Sequence, residues 1–243
     1  MKLNTQSWQG ALVGVGLLVA VASANDDESK AGIVKPGDQF HGKSYNELVR
    51  EWTNWLFTEP MATNPAFDPD GGFCDRNQRG KVWFLAGTFV GVVNRTCEVP
   101  AGKAIFVSLG GAFVSFSPEF PVVGDPCLQM ATPLEQVRCD VNDDVPVAPN
   151  ISIEVILDGV PVEDLFAYRV QSQPGGFIFR VPDPSLLTDF GFPPGDRFPA
   201  VTDGYFLLLK PLKPGTHALS LSVTNPDQSK TGVNYTLIVR RHR

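Results

Sequence analysis

Apolar residues recur along this chain with two different periods, and the change from one to the other falls near residue 82. Tyr45, Leu48, Val49, Trp52, Trp55 and Leu56 are spaced by three and four, the interval that lines one face of an α-helix. Ser44-Tyr45-Asn46-Glu47 at the head of that stretch is a capping box, in which the Ser hydroxyl and the Glu carboxylate each satisfy a free backbone N–H. Pro60 limits any continuation. An amphipathic helix is therefore expected from Ser44 toward Pro60, with Trp52 and Trp55 on its buried side.

From Val82 onward the apolar segments are short, β-branched and aromatic, and Gly and Pro bound them. Strands are expected at about 82–93, 103–109, 112–116, 150–157, 160–163, 177–181, 204–210, 217–224 and 233–240. Asp158-Gly159 between Leu157 and Val160 reads as a two-residue hairpin turn, because Asp-Gly tolerates the positive φ that such a turn needs. Leu219, Leu221 and Val223 alternate with Ser220 and Ser222, and Tyr235, Leu237 and Val239 with Thr236 and Ile238, so one face of that pair is buried. Thr132-Pro133-Leu134-Glu135 is a second capping box with Pro at the first helical position, and predicts a short second helix. The proline-rich stretch Pro182–Pro199 reads as a long irregular loop. These elements describe a mainly β chain: a β-sandwich with an N-terminal amphipathic helix and a short second helix.

The N-terminus changes the picture of where the chain works. Lys2, an apolar run from Ala11 to Val21 and the small residues Ala22-Ser23-Ala24 have the order of an export signal. The run is about eleven residues, short of the roughly 20 that span a bilayer as a helix, and no later segment exceeds it. The expected division is a signal peptide at 1–24, a flexible leader at 25–40 and one disulfide-stapled domain at 41–243, secreted or periplasmic, with no transmembrane segment after signal removal. The chain has 26 Asp and Glu against 20 Lys and Arg, a net charge of −6. Losing Lys2 moves that balance further negative, which argues against nucleic acid. The basic end, Arg240 to Arg243, reads as a solvated tail.

Cys74, Cys97, Cys127 and Cys139 are an even set in a chain bound for an oxidising compartment, and read as two disulfides. They allow three connectivities; Cys74 with Cys97 and Cys127 with Cys139 close the short loops and are preferred. Zinc is disfavoured, since there is no Cys-x-x-Cys pair and no nearby His. Asp68, Asp70 and Asp75 in the loop Asp68-Pro69-Asp70-Gly71-Gly72-Phe73-Cys74-Asp75 are calcium candidates, but their spacing is not that of an EF-hand, and Asp and Gly also build ordinary turns. Asp140, Asn142, Asp143 and Asp144 form a second cluster with the same two readings.

No catalytic constellation emerges. His41, His217 and His242 stand in no triad or metal pattern, and His217 reads as a half-buried side chain bonded to backbone. There is no Gly-x-Ser-x-Gly elbow and no cofactor fingerprint. Glu51, Asp68, Asp70, Glu154 and Asp203 are candidate carboxylates for glycan hydrolysis, which the sequence alone does not pair. Trp52, Trp55 and Trp83 read as core; exposed, they would make a sugar-stacking platform.

Tyr45 to Trp55, Asn64-Pro65, Val82 to Thr88, Arg95-Thr96-Cys97, Val99 to Phe106, Asp203-Gly204-Tyr205 and Pro214 to His217 together resemble a group of exported bacterial proteins of unknown function. The resemblance covers most of the chain and implies export and a β-rich fold, with no activity to carry over. The segment 109–125 departs from it in having Gly110-Gly111-Ala112 and a run of Phe. Leu212 to Val239 resembles the ending of immunoglobulin-like sandwich domains, which serve very different functions. The leading expectation is a non-catalytic, exported interaction or structural module without cofactor, with a cell-surface or glycan ligand among its partners. The runner-up is a secreted hydrolase acting on glycans through paired carboxylates.

Overall fold

The computed structural model describes residues 32–118 and 125–241. The expected signal peptide, the first part of the leader and His242 lie outside the described residues. In chain order the elements are β1 (Ile33–Val34), α1 (Tyr45–Phe57), β2 (Val82–Leu85), β3 (Val92–Pro100), β4 (Ala104–Ser115), α2 (Pro133–Asp143), β5 (Ser152–Leu157) and β6 (Val160–Pro161). There follow β7 (Arg169–Gln171), β8 (Phe177–Val181), α3 (Leu186–Asp189), β9 (Gly195–Leu209), β10 (Gly215–Thr224) and β11 (Lys230–Arg240).

The strands form two sheets. In the first, β9 is the spine: β4 lies along one side of it, β1, β7 and β8 follow one another along the other, and β2 sits outside β4. The second has the order β3-β11-β10-β5-β6. Leu219, Leu221, Val233, Tyr235, Leu237 and Val239 of the second sheet join one buried cluster with Ile105, Val107, Leu207 and Leu209 of the first. Alternation is what makes this possible, since every second side chain of β10 and β11 faces the other sheet. The chain is thus a mainly β sandwich, as its periodicity predicts.

α1 covers the outer face of the first sheet. Its capping box is formed, with Ser44 Oγ accepting from the Glu47 N–H and the Glu47 carboxylate accepting from the Ser44 N–H. The apolar stripe meets Phe106 and Phe206: Tyr45 lies 5.7 Å from the Phe106 ring and Trp52 5.5 Å from that of Phe206. The second capping box, at Thr132, opens α2, whose Val137 and Val141 pack on Val201. The hairpin turn also forms as its residues require, with φ of +49° at Asp158 and +81° at Gly159.

Four expectations are corrected. The strand read at 82–93 is two strands in different sheets, β2 and β3, separated by a crossing loop. The strands read at 103–109 and 112–116 are one, β4, carrying a bulge between Ser108 and Gly110. The leader is shorter on its C-terminal side: Ile33 and Val34 pair with Leu209 and Leu208, and the Val34 carbonyl accepts from Tyr45 Oη at 2.6 Å. The irregular loop read at 182–199 contains α3 and the first residues of β9. Pro199 fits into β9 because the β8–β9 ladder is irregular there, and its carbonyl accepts from the Phe116 N–H at 2.9 Å.

Both preferred disulfides are present. Cys74 joins Cys97 and Cys127 joins Cys139, with Cα separations of 5.7 and 5.4 Å. The first ties the loop 58–81 to β3. That loop also covers the free edge of β3, where the Asp70 carbonyl accepts from the Thr96 N–H at 2.8 Å. Gly71 is required at this crossing, since a Cβ would stand 2.2 Å from the Thr96 carbonyl oxygen. No helix among the described residues is long and apolar enough to cross a membrane.

Candidate functional site

The predicted acidic residues do not converge. Asp68 is buried and its carboxylate accepts from the N–H groups of Asp70, Gly71 and Phe73, so it holds a turn together. Asp70 accepts from the Gly72 N–H. Asp68, Asp70 and Asp75 do not form one of the groups of three or more ligand residues gathered within 4.8 Å among the described residues. Both of those groups include Cys127, whose sulfur is bonded to Cys139. Glu51 pairs with Lys43 at 2.6 Å, Glu154 with Lys230 at 3.8 Å, and buried Asp203 with Arg169 at 2.9 Å and Gln171 at 3.2 Å. Trp52, Trp55 and Trp83 are 6, 7 and 6 % exposed, so none offers a stacking face. His217 is bonded to the Lys213 carbonyl at 2.8 Å and the Asp158 carboxylate at 2.7 Å. Burial lowers its pKa, but these two partners outweigh burial and the net shift is upward.

Asp140 has a partner the sequence did not suggest, Asp125. Burial pushes the Asp140 carboxyl up to about 6, assisted by Asp125 and then by Asp144 and Asp143. A carboxyl whose pKa is raised in the folded state binds its proton more tightly there than in the unfolded chain, so stability is lost as the pH rises from its ordinary value through the raised one. Asp140→Asn should therefore raise the melting temperature at pH 7.5, and the gain should fade as the pH falls through about 6 toward 4, as read by calorimetry. The pair borders a cavity of about 350 Å³ between Phe113 and Phe192, which is also bounded by Pro118 and Asp125 on either side of residues 119–124. Asp125 serves as an N-cap, its carboxylate accepting from the Cys127 N–H at 2.7 Å.

A different cleft, of about 220 Å³, opens where β2 ends. α1 supplies Trp52, Leu56 and Phe57 to one wall, and β10 with β11 supply Leu221, Val223 and Thr231 to the other. Phe113 and Phe206 lie on the helix side, with Phe57 at 4.9 Å from Phe113. Gly87, Gly110 and Gly111 line it without side chains, and Phe89, 53 % exposed, stands at its rim. No lining residue carries a charge or an amide side chain. Ser108 is among the few polar residues of the lining. The cleft is therefore apolar and aromatic, with few polar handles, the character of a small-ligand pocket.

Its walls are fixed by a buried cation. Arg95, 2 % exposed, donates from Nε to the Asp68 carbonyl at 2.7 Å and from Nη2 to that of Ala66 at 3.1 Å. Nη1 donates to the carbonyls of Ala86 and Gly87 at 3.3 and 3.0 Å and to Tyr235 Oη at 3.1 Å. Tyr235 Oη in turn donates to the Ala86 carbonyl at 2.6 Å. One guanidinium thus gathers the loop 66–68 and the crossing 86–87 onto the second sheet. On the helix side, Trp52 Nε1 donates to the Leu85 carbonyl at 2.9 Å and Thr53 shares a hydrogen bond of 2.8 Å with Thr202. The sequence reading missed Arg95, though a signal was there: it occupies an inward register of β3 beside Cys97 and Val99, where a charge needs partners.

No family model and no curated protein matches the chain. Among solved structures it is similar to a cysteine protease inhibitor from Entamoeba histolytica, at 15% identity over 65% of this chain and 94% of that one, with a TM-score of 0.23. A likeness at that score carries no argument about fold or role.

Proposed function

We propose that the protein is an exported, non-catalytic binding module, secreted or periplasmic, whose recognition site is the cleft at the end of β2. The observation that carries this reading is the lining: an aromatic-walled opening between packed elements with no titratable group in it. Such a lining has no acid or base with which to activate a hydroxyl or protonate a leaving group, and much with which to take up apolar area from water. Sugar rings, which are met by carboxylates and amides, are poorly served by it, so the ligand class moves from glycans to apolar groups. The two disulfides support the exported setting.

The volume exceeds the roughly 150 Å³ that holds benzene in an engineered cavity. A fluorescent probe of naphthalene size, 1-aminonaphthalene, should bind saturably. Gly87→Leu should weaken that binding at least tenfold without unfolding the protein, because a Cβ there meets only the Ser108 carbonyl, at 3.7 Å. Equal binding to parent and variant would place the probe elsewhere and remove the cleft from the reading.

The hydrolase reading keeps one observation, the pairing of Asp125 with Asp140 beside a cavity. It requires two carboxyl groups set across a substrate, about 5 Å apart or more, and Asp125 free of its capping role. Glycan turnover abolished by Asp140→Asn would establish it.

A further inference from the structure

The cleft is also a gap in a sheet. β2 lies along the outer edge of β4 from Ala104 to Val107; from Ser108 to Ser115, β4 is paired, among the described residues, with β9 alone. The cause lies on the second sheet. Arg95 and Tyr235 take the Ala86 carbonyl, and Arg95 takes that of Gly87, so the chain that would have continued the β2 ladder is turned away from β4. Residues of a strand aim their N–H and C=O groups alternately to its two sides. The outer edge of β4 beyond Val107 therefore presents backbone donors and acceptors to the cleft.

Resting on the reading of the cleft as a binding site, we infer that its occupant is an extended peptide of a partner protein, added as a strand beside β4 in the place β2 leaves. A row of donors and acceptors at the spacing of a strand is complementary to another backbone and to little else, and strand addition to a free edge is an established mode of peptide recognition. The flanks fit the same occupant. Successive side chains of an added strand point to opposite faces, one toward Trp52 and Phe113, the other toward Leu221 and Val223, so both sets would be apolar. Gly87 and Gly110 leave the lane clear: a Cβ at Gly110 would meet only Val223, at 3.7 Å, and its φ of +153° disfavours a side chain there. The edge from Ser108 to Phe113 is five residue steps, about 17 Å before the bulge at Ser108–Gly110 shortens it, room for about four or five residues of a peptide.

The test is a displayed library of random eight-residue peptides, selected on the folded protein and depleted on Gly87→Leu. Enriched peptides are synthesised, and each is N-methylated on alternate backbone nitrogens in the two possible sets. One set should lose binding at least tenfold while the other loses little, because only one set of N–H groups faces β4. Failure of any peptide to enrich over the variant, or equal tolerance of both methylated sets, overturns the inference. If 1-aminonaphthalene still binds in a Gly87-dependent way, the cleft remains a binding site and only the peptide is lost; if neither probe binds, both readings fall. The methylation comparison uses the parent protein alone and does not depend on the variant folding.

Discussion

Arg95→Met should cost the protein about 4 kcal/mol or more, enough to leave a domain of this kind at the edge of unfolding. The substitution removes every donor that Ala66, Asp68, Ala86 and Gly87 find in the guanidinium, and each buried carbonyl left without a partner costs about 1–3 kcal/mol. Ala86 retains one, from Tyr235, so the total is less than a simple sum. Arg95→Lys should recover only part of the loss, because an ammonium group is a point donor and cannot reach four carbonyls set around a planar fork. Urea unfolding of the three proteins measures both differences. A midpoint for Arg95→Met close to that of the parent would mean that the crossing 86–87 is held by something other than the guanidinium.

Trp55→Ala should destabilise by about 3–5 kcal/mol, the range for removing a large aromatic side chain from a core. Trp55 sits with its ring 5.7 Å from Phe84 and 6.4 Å from Trp52, and its Nε1 donates to the Arg76 carbonyl at 2.8 Å. It thereby joins α1, the first sheet and the loop 58–81. A sugar-stacking role would predict nearly unchanged stability. A thermal midpoint within a degree of the parent would show that α1 does not dock through this ring.

What could be read from the sequence was what neighbouring residues decide together. The Ser44 and Thr132 capping boxes, the stripe Tyr45 to Leu56 and the Asp158-Gly159 turn each carry their own reason for folding, and each appears where expected. The preferred disulfides follow from loop length, and the structure contains them. Arrangements set by distant residues were not legible. β1 and β7 are two and three residues long, too short for any period to show, and exist because β9 offers them an edge. The break between β2 and β3 depends on Arg95 and Tyr235, the latter 149 residues beyond the carbonyl it binds. The cleft was legible only as an oddity: Gly110-Gly111-Ala112, small residues in the middle of a strand, is the bare stretch of β4 that lines it.

β9 and β11 place a condition on the order in which this protein acquires structure. β4 must wait for β9, some ninety residues later along the chain, and β3 for β11, the last strand described. Neither sheet has its central partner while only the first half of the chain has been synthesised, and contacts of such long range form slowly. A ribosome therefore releases a long stretch that cannot yet collapse into its final form. Such a chain stays extended and pliable until its own C-terminal strands emerge to complete both sheets.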